Sequence, residues 1–291
     1  MTQRLAAQPF AKQITARATE IAATAIAAAR GSIPEIAVVI ATSEPDSLLY
    51  VDRLLKQVSA TGLIGRRVEL GATATEAEIF SALTTLSTDQ NVAGIILQSP
   101  LPSGVSREIV ATAITPTKDI DGITLANAER LAEGTHDASL LPATAAAVME
   151  LLRVYEIPLR GRQTVVVGRS AIVGRPVAQL LELEGANVEV AHSKTPDLGA
   201  VTRTAAVLVV AAGVRGLVRG EHVSPGTTVI DVGIHPSGET IVGDVDAPSV
   251  EARLGETGGL SPVPGGVGPM TSAILALHAA QAAERLVRAR A

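Results

Sequence analysis

The stretch VVVGRSAIVGRPV, residues 165–177, has the residue types and spacing to hold an anionic ligand. Three consecutive valines suit a strand buried on both faces, and Gly168 lets the chain turn where that strand ends. Gly174 stands where a following helix would begin, with Pro176 in its first turn. A strand, a glycine-bounded loop and a helix N-terminus aim backbone N–H groups and a positive dipole end at one point, which makes a phosphate cradle. The spacing is not G-x-G-x-x-G, because only Gly168 and Gly174 bracket the loop, so an ordinary tight βα turn is the alternative. His192, Ser193, Lys194 and Thr195 follow the next predicted strand, where a Rossmann-like unit meets the adenosine ribose. Together with Arg169 in the cradle, Ser193 and Lys194 favour a 2′-phosphate there, and so NADP over NAD; a solvated, capped turn is the alternative.

A second group is spread over the first half of the chain. Ser47 and Tyr50 fall on one face of a predicted helix, with Leu54 one turn beyond Tyr50. Lys56, six residues after Tyr50, is rotated by roughly 240° and points elsewhere. Gln98 ends an apolar strand, where its amide needs either a backbone partner or a ligand. In KDIDG (118–122), Asp119 and Asp121 can each serve as a ligand or as the cap of the following turn.

Other chemistries are poorly supplied. The chain of 291 residues has no cysteine, hence no thiolate nucleophile, disulfide or cysteine metal site. Its five histidines are dispersed with no i, i+4 pair, so no metal site is predicted, and neither a G-x-S-x-G elbow nor a P-loop occurs. A net charge of −5 without a basic block argues against nucleic acid or an anionic membrane as partner. No apolar run is long enough to cross a bilayer, and a soluble, cytoplasmic protein is expected. Hydrophobic residues make up 47% and aromatics only 1%, so the core must be aliphatic and Tyr50 and Tyr155 stand out.

Positioning these residues requires alternating strands and helices. Residues 3–29 read as one long helix, 36–41 as a buried strand, 47–60 as a helix, 68–70 as a brief strand, 74–87 as a helix and 93–98 as a strand. SPLPSG (99–104) is a turn-rich exit from that strand, and residues 111–122 an irregular connection to a short helix near 127–132. The polar stretch 134–139 lies close to a domain boundary. A helix over 144–155 precedes the cradle strand. Helix 176–184, strand 187–191, a helix near 197–204 and strands 206–211 and 227–231 then continue the alternation. The glycine- and proline-rich loop 258–271 leads to a closing helix over 271–290, placed to return to the first domain. The expected fold is α/β with two domains and parallel sheets.

In this order the residues resemble the methylenetetrahydrofolate dehydrogenase/methenyltetrahydrofolate cyclohydrolase family. The pieces that carry the resemblance are PDSLLYV (45–51), GIILQSPLP (94–102), KDIDG (118–122), the cradle (165–177), HSKT (192–195), VIDVGI (229–234), GDVD (243–246) and PVPGGVGPMT (262–271). The resemblance implies a catalytic folate-binding domain over 1–140 completed by 271–291, a Rossmann-like NADP-binding domain over 141–270, a folate cleft between them, and a homodimer. It implies that tetrahydrofolate one-carbon derivatives are substrates and that NADP is the cofactor, with no metal. Matched position by position, Tyr50 packs on the folate's aminobenzoyl ring with Ser47 nearby, Asp121 holds the pterin, and Gln98 is the active-site glutamine. Pro264, Gly265 and Gly266 match the loop near pterin and nicotinamide; Gly168, Arg169, Ser170, Gly174, Arg175, His192, Ser193 and Ile234 match the NADP site.

The departures bear on the second activity. The family's catalytic lysine comes four residues after the tyrosine, where this chain has Leu54, and leucine can neither transfer a proton nor polarise water. Lys56 matches a second, non-catalytic lysine. Thr42 and Asp46 in the loop before the helix, Glu129, PATAAA (142–147) and His235 also depart from the pattern. Three readings follow: a dehydrogenase with weak or absent cyclohydrolase, a bifunctional enzyme in which Lys56 or water replaces the lysine, and a non-catalytic folate- or NADP-binding protein.

Overall fold

The computed structural model describes residues 2–29, 32–137, 140–238 and 240–290. The chain forms two compact units, one from the chain up to residue 11 with residues 144–271, the other from residues 12–143 with residues from 272 onward. Of the stretch 134–139 expected at the boundary, residues 138 and 139 lie outside the described residues, and the division falls at 143/144.

The first unit carries a six-stranded sheet of β1 (Gln3–Arg4), β5 (Gln163–Val167), β6 (Asn187–Ala191), β7 (Val207–Val210), β8 (Thr228–Asp231) and β11 (Gly259–Leu260). Its order is β1-β11-β8-β7-β5-β6 and every neighbouring pair is parallel. Parallel strands need crossovers, which α7 (Gly174–Leu183), α8 (Leu198–Thr202) and α9 (Ala247–Leu254) provide. Val165, Val167, Leu208, Val210, Val229 and Leu260 meet in one fully aliphatic core. β6 lies on one side of β5 while β7 and β8 lie on the other. The order therefore reverses at β5, the place where open α/β sheets take ligands.

The second unit is built on a three-stranded parallel sheet, β3-β2-β4, from β2 (Glu35–Ile40), β3 (Ile64–Glu69) and β4 (Val92–Leu97). α2 (Pro45–Ala60) and α3 (Glu76–Thr88) are its crossovers. β4 is buried along its whole length, whereas β3, at the other edge, alternates and carries Arg66 in ion pairs with Glu35 and Asp89 at 3.4 and 3.2 Å. Val39, Ile79, Leu83, Ile95 and Leu97 fill the space between sheet and helices.

Several expectations are corrected. Residues 3–29 are not one helix: Gln3 and Leu5 donate N–H bonds to Gly258 and Leu260, adding β1 to the sheet edge. α1 spans Gln8–Ala28, and Pro9 suits its first turn. Residues 2–11 thus belong to the six-stranded unit and not to the domain expected to contain them. The helix α4 (Arg107–Ala111), the hairpin β9 (His235–Ser237) with β10 (Thr240–Val242), α9 and β11 are too short or too glycine-rich to show a periodicity. α5 (Leu125–Ala132) and α6 (Ala143–Val154) fall near their expected positions. The last helix, α10 (Val267–Arg290), begins four residues earlier than expected because Val267–Met270 continue out of the glycine-rich loop.

Candidate active site

In the three-stranded unit the polar groups gather where β4 ends. Gln98, the first residue past the strand, donates from Nε2 to the Ser99 carbonyl at 2.8 Å, so a backbone partner answers its need. Ser47, in the first turn of α2, donates to the same carbonyl at 3.2 Å. One turn along α2, Tyr50 is half-buried, bonded to Ser272 and close enough to Asp121 to sense its charge. Burial first and the Asp121 charge second push the Tyr50 hydroxyl up to about 12, so it remains a neutral phenol. Leu54 is 2% exposed and belongs to the core, while Lys56 is exposed on the opposite side of the helix.

KDIDG is explained residue by residue. Lys118 Nζ donates to the carbonyls of Leu86 and Asp89 at 3.3 and 2.7 Å, closing the end of α3. Asp119 is fully buried and accepts from Ile123 N, Thr124 N and Oγ1, and Asn127 Nδ2, so it is the structural cap of the two acids. Ile120 is core, and its carbonyl meets His278 Nδ1 of α10 at 2.9 Å. Gly122 has φ +68°, and a Cβ there would lie 2.3 Å from the Pro142 nitrogen. Asp121 instead has Arg107 Nη2 3.8 Å from its carboxylate. Burial pushes its carboxyl up to about 7; Arg107 opposes that rise and Asp119 adds to it.

Arg107 escaped the sequence reading. It is the first residue of α4, where the helix dipole disfavours a cation. That local misfit was the available signal that another partner holds it.

In the six-stranded unit a cavity of about 410 Å³ opens at the reversal point of the sheet. Gly168 and Arg169 line it from the end of β5, His192, Ser193 and Thr195 from the end of β6, and Ala212 and Val214 from beyond β7. Leu198 and Leu217 add an apolar wall that sequence reasoning missed. The HSKT turn is self-supporting, with His192 N donating to Thr195 Oγ1 at 2.9 Å and Lys194 N to His192 Nδ1 at 3.1 Å. Ser170 Oγ accepts from Gly174 N at 3.3 Å, fixing the loop against α7. Arg175 is exposed at the second residue of that helix, and Ile234 is 60% exposed.

DVG and GDVD form the scaffold behind the cavity. Asp231 accepts N–H bonds from Gly233, Asp244 and Val245, and burial still pushes its carboxyl up to about 6. Asp244 in turn accepts from Ala212 N and Gly213 N at 2.7 and 2.8 Å and pairs with His235 Nε2 at 2.7 Å. A Cβ on Gly233 or Gly243 would fall within 2.3 Å of these carboxylates, which is why both positions are glycine. Pro264, Gly265 and Gly266 make the turn into α10. Gly266 N donates to Pro262 O at 2.7 Å, and Gly265 O accepts from Ala7 N at 2.9 Å.

Residues 5–121 match the family described as tetrahydrofolate dehydrogenase/cyclohydrolase, catalytic domain, and residues 142–287 match its NAD(P)-binding domain. The bifunctional protein FolD 1 of Saccharopolyspora erythraea is 47% identical over 285 residues, covering 98% of this chain and 95% of its own. The crystal structure of the bifunctional FolD methylenetetrahydrofolate dehydrogenase/cyclohydrolase of Campylobacter jejuni superposes with a TM-score of 0.91 at 35% identity, covering 98% of this chain and 99% of that one. That of the Trypanosoma brucei enzyme, complexed with NADP cofactor and an inhibitor, gives 0.91 at 34% identity over 99% of both chains. Two family matches in chain order and relatives of this similarity leave one conclusion: the chain belongs to the tetrahydrofolate dehydrogenase/cyclohydrolase family.

Proposed function

We propose that this enzyme oxidises 5,10-methylenetetrahydrofolate to 5,10-methenyltetrahydrofolate with NADP, and that hydrolysis of the product is weak or absent. The reading is carried by two observations, one in each unit: a glycine-built cradle is retained, and a buried leucine stands at the position of the family lysine.

The cradle fits a dinucleotide. A Cβ on Gly168 would lie 2.1 Å from the Ala211 carbonyl oxygen and one on Gly174 2.3 Å from that of Gly168, so only bare backbone fits there. The backbone N–H groups of residues 169–172 meet no acceptor among the described residues, which leaves them for phosphate oxygens. Arg169, His192 and Ser193 at the cavity, with no carboxylate beside them at the end of β6, favour the 2′-phosphate of NADP over the free hydroxyl of NAD.

When bound, NADP supplies the acceptor for the hydrogen and electron pair that leave the methylene carbon. On the other side of the reaction, Tyr50 offers a neutral ring face to the aminobenzoyl group, and Asp121 accepts hydrogen bonds from the pterin. Gln98 and Ser47 brace the Ser99 carbonyl beside them. The substrate's own nitrogen lone pair stabilises the cation as the C–H bond breaks. The chain therefore has to orient the reactants and exclude water more than move protons. Hydrolysis is different, since water must be activated. Leu54 offers no group for that, and Lys56 is exposed on the far side of α2.

A bifunctional enzyme is the second reading, favoured by the names of the relatives. Assays of both half-reactions separate the two. We expect absorbance of the reduced nicotinamide to rise with NADP and methylenetetrahydrofolate, more slowly with NAD, while methenyltetrahydrofolate decays near its uncatalysed rate. Cyclohydrolase turnover matching the dehydrogenase rate contradicts the loss. If that turnover vanishes in Lys56→Ala, Lys56 has taken over the role.

A further inference from the structure

We propose that Arg107 is a positioning residue: from the start of α4 its guanidinium clamps Asp121 and supplies the counter-charge that keeps this carboxylate ready to accept hydrogen bonds from the substrate. The proposal rests on the reading of Asp121 as a substrate-binding group. Arg107 sits at the first residue of α4, a place electrostatically unsuited to a cation, yet its side chain turns inward and is only 20% exposed. Three groups from two segments of the site meet on it. One nitrogen, Nη1, donates to Ser99 Oγ, and Nη2 donates to the Leu97 carbonyl at the end of β4 at 3.2 Å while lying 3.8 Å from Asp121 Oδ2. Its Nε is buried with no hydrogen-bond partner among the described residues. The guanidinium thus stays beside the carboxylate although one of its own donors goes unanswered, a cost its charge interaction must offset.

Among the described residues, Arg107 and Asp119 are the charges that act on Asp121, and of these two only Arg107 is positive. Asp119, from the same loop, is a carboxylate committed to four hydrogen bonds, and Tyr50, from α2, is a neutral phenol. Burial favours the protonated acid, which would present a donor where the substrate needs an acceptor. Arg107 works against that protonation at neutral pH.

The test is a carboxyl ¹³C titration of aspartate-labelled protein without ligand, with the Asp121 signal assigned by its loss in Asp121→Asn. Arg107→Gln, which keeps a hydrogen-bonding amide but no charge, should make Asp121 bind its proton about tenfold more tightly, moving its midpoint up by roughly one pH unit. Arg107→Lys should hold the midpoint near that of the wild type. In parallel, KM for methylenetetrahydrofolate at pH 7 should rise on the order of tenfold in Arg107→Gln with kcat little changed, and the acid limb of kcat/KM should move to higher pH. In an Asp121→Asn background, Arg107→Gln should add nothing further. An unchanged midpoint in Arg107→Gln, or effects of the two substitutions that simply add, overturns the clamp. If Arg107→Gln does not fold, the wild type in 0.1 and 1 M salt decides it: screening of the pair should raise the midpoint, and a midpoint unmoved by salt counts against the proposal. Absence of any turnover of methylenetetrahydrofolate by the wild type defeats the functional reading, and the ligand-free titration still judges the clamp.

Discussion

Two aspartates separated by one residue have opposite duties. Asp119 spends both oxygens on the backbone and side chains of the next turn, whereas Asp121 faces the Arg107 guanidinium at 3.8 Å and is pushed up to about 7. That shift has a stability consequence with a definite sign. Between the ordinary value of 3.8 and about 7 the native state holds the Asp121 proton more tightly than the unfolded chain does, so this contribution to stability falls as pH rises through that window and is flat above it. Asp121→Asn lacks the effect. Denaturant titrations at pH 4.5 and 7.5 should show the variant gaining on the wild type by up to ~3 kcal/mol across the interval. A constant difference between the two proteins would contradict the assigned shift. Leu54, 2% exposed, belongs to packing and not to chemistry. Leu54→Ala should cost roughly 2–4 kcal/mol by chemical denaturation, while Lys56→Ala should leave stability within about 0.5 kcal/mol. The rotation of Lys56 away from Tyr50 was legible from helical spacing alone, whereas the burial of Leu54 came from the structure.

At the scale of elements, the cradle is a strand, a turn and a helix held together by the absence of side chains. Gly168 has φ +120°, with the Ala211 carbonyl 2.1 Å from where a Cβ would stand. Gly168→Ala should therefore both lose dinucleotide affinity and destabilise the fold by about 3 kcal/mol, read by calorimetric titration with NADP and by thermal melting. Retained affinity with an unaltered melting temperature would show that the turn tolerates a side chain. The scaffold behind it works the other way, through carboxylates inside the fold. Asp231 binds three backbone N–H groups across the DVG and GDVD segments. Asp231→Ala leaves these donors without partners and should cost roughly 3 kcal/mol or more, with loss of protection from hydrogen exchange concentrated in residues 231–246. These motifs were visible as recurring glycine and aspartate. That their carboxylates hold the cavity wall through backbone N–H groups depends on distances no spacing rule supplies.

At the scale of the molecule, each unit is completed by a segment distant in the chain. β1 pairs with β11 at the far end of the sequence, and the described part of α10 from residue 272 packs with residues 12–143. Deleting residues 2–7 removes fully buried Leu5 and the edge strand. Hydrogen exchange should then quicken in β11 and β8 while β2 and β4 keep their protection, and equal loss in both sheets would mean that the units do not unfold separately. What the sequence determined by itself was the class of fold and the identity of the chemically able residues. Short β-branched runs bounded by glycine favour buried strands, glycines at strand ends favour turns, and the helices between them impose parallel order. Tertiary structure decided which of those residues meet. Arg107 reaches Asp121 across fourteen residues of chain, Asp244 holds the loop at Ala212 and Gly213, and two residues at the N-terminus extend a sheet built mostly from the second half. Periodicity reports only the face a residue turns to its neighbours, whereas the partner across the core is set by packing between segments far apart in sequence, which local pattern cannot encode.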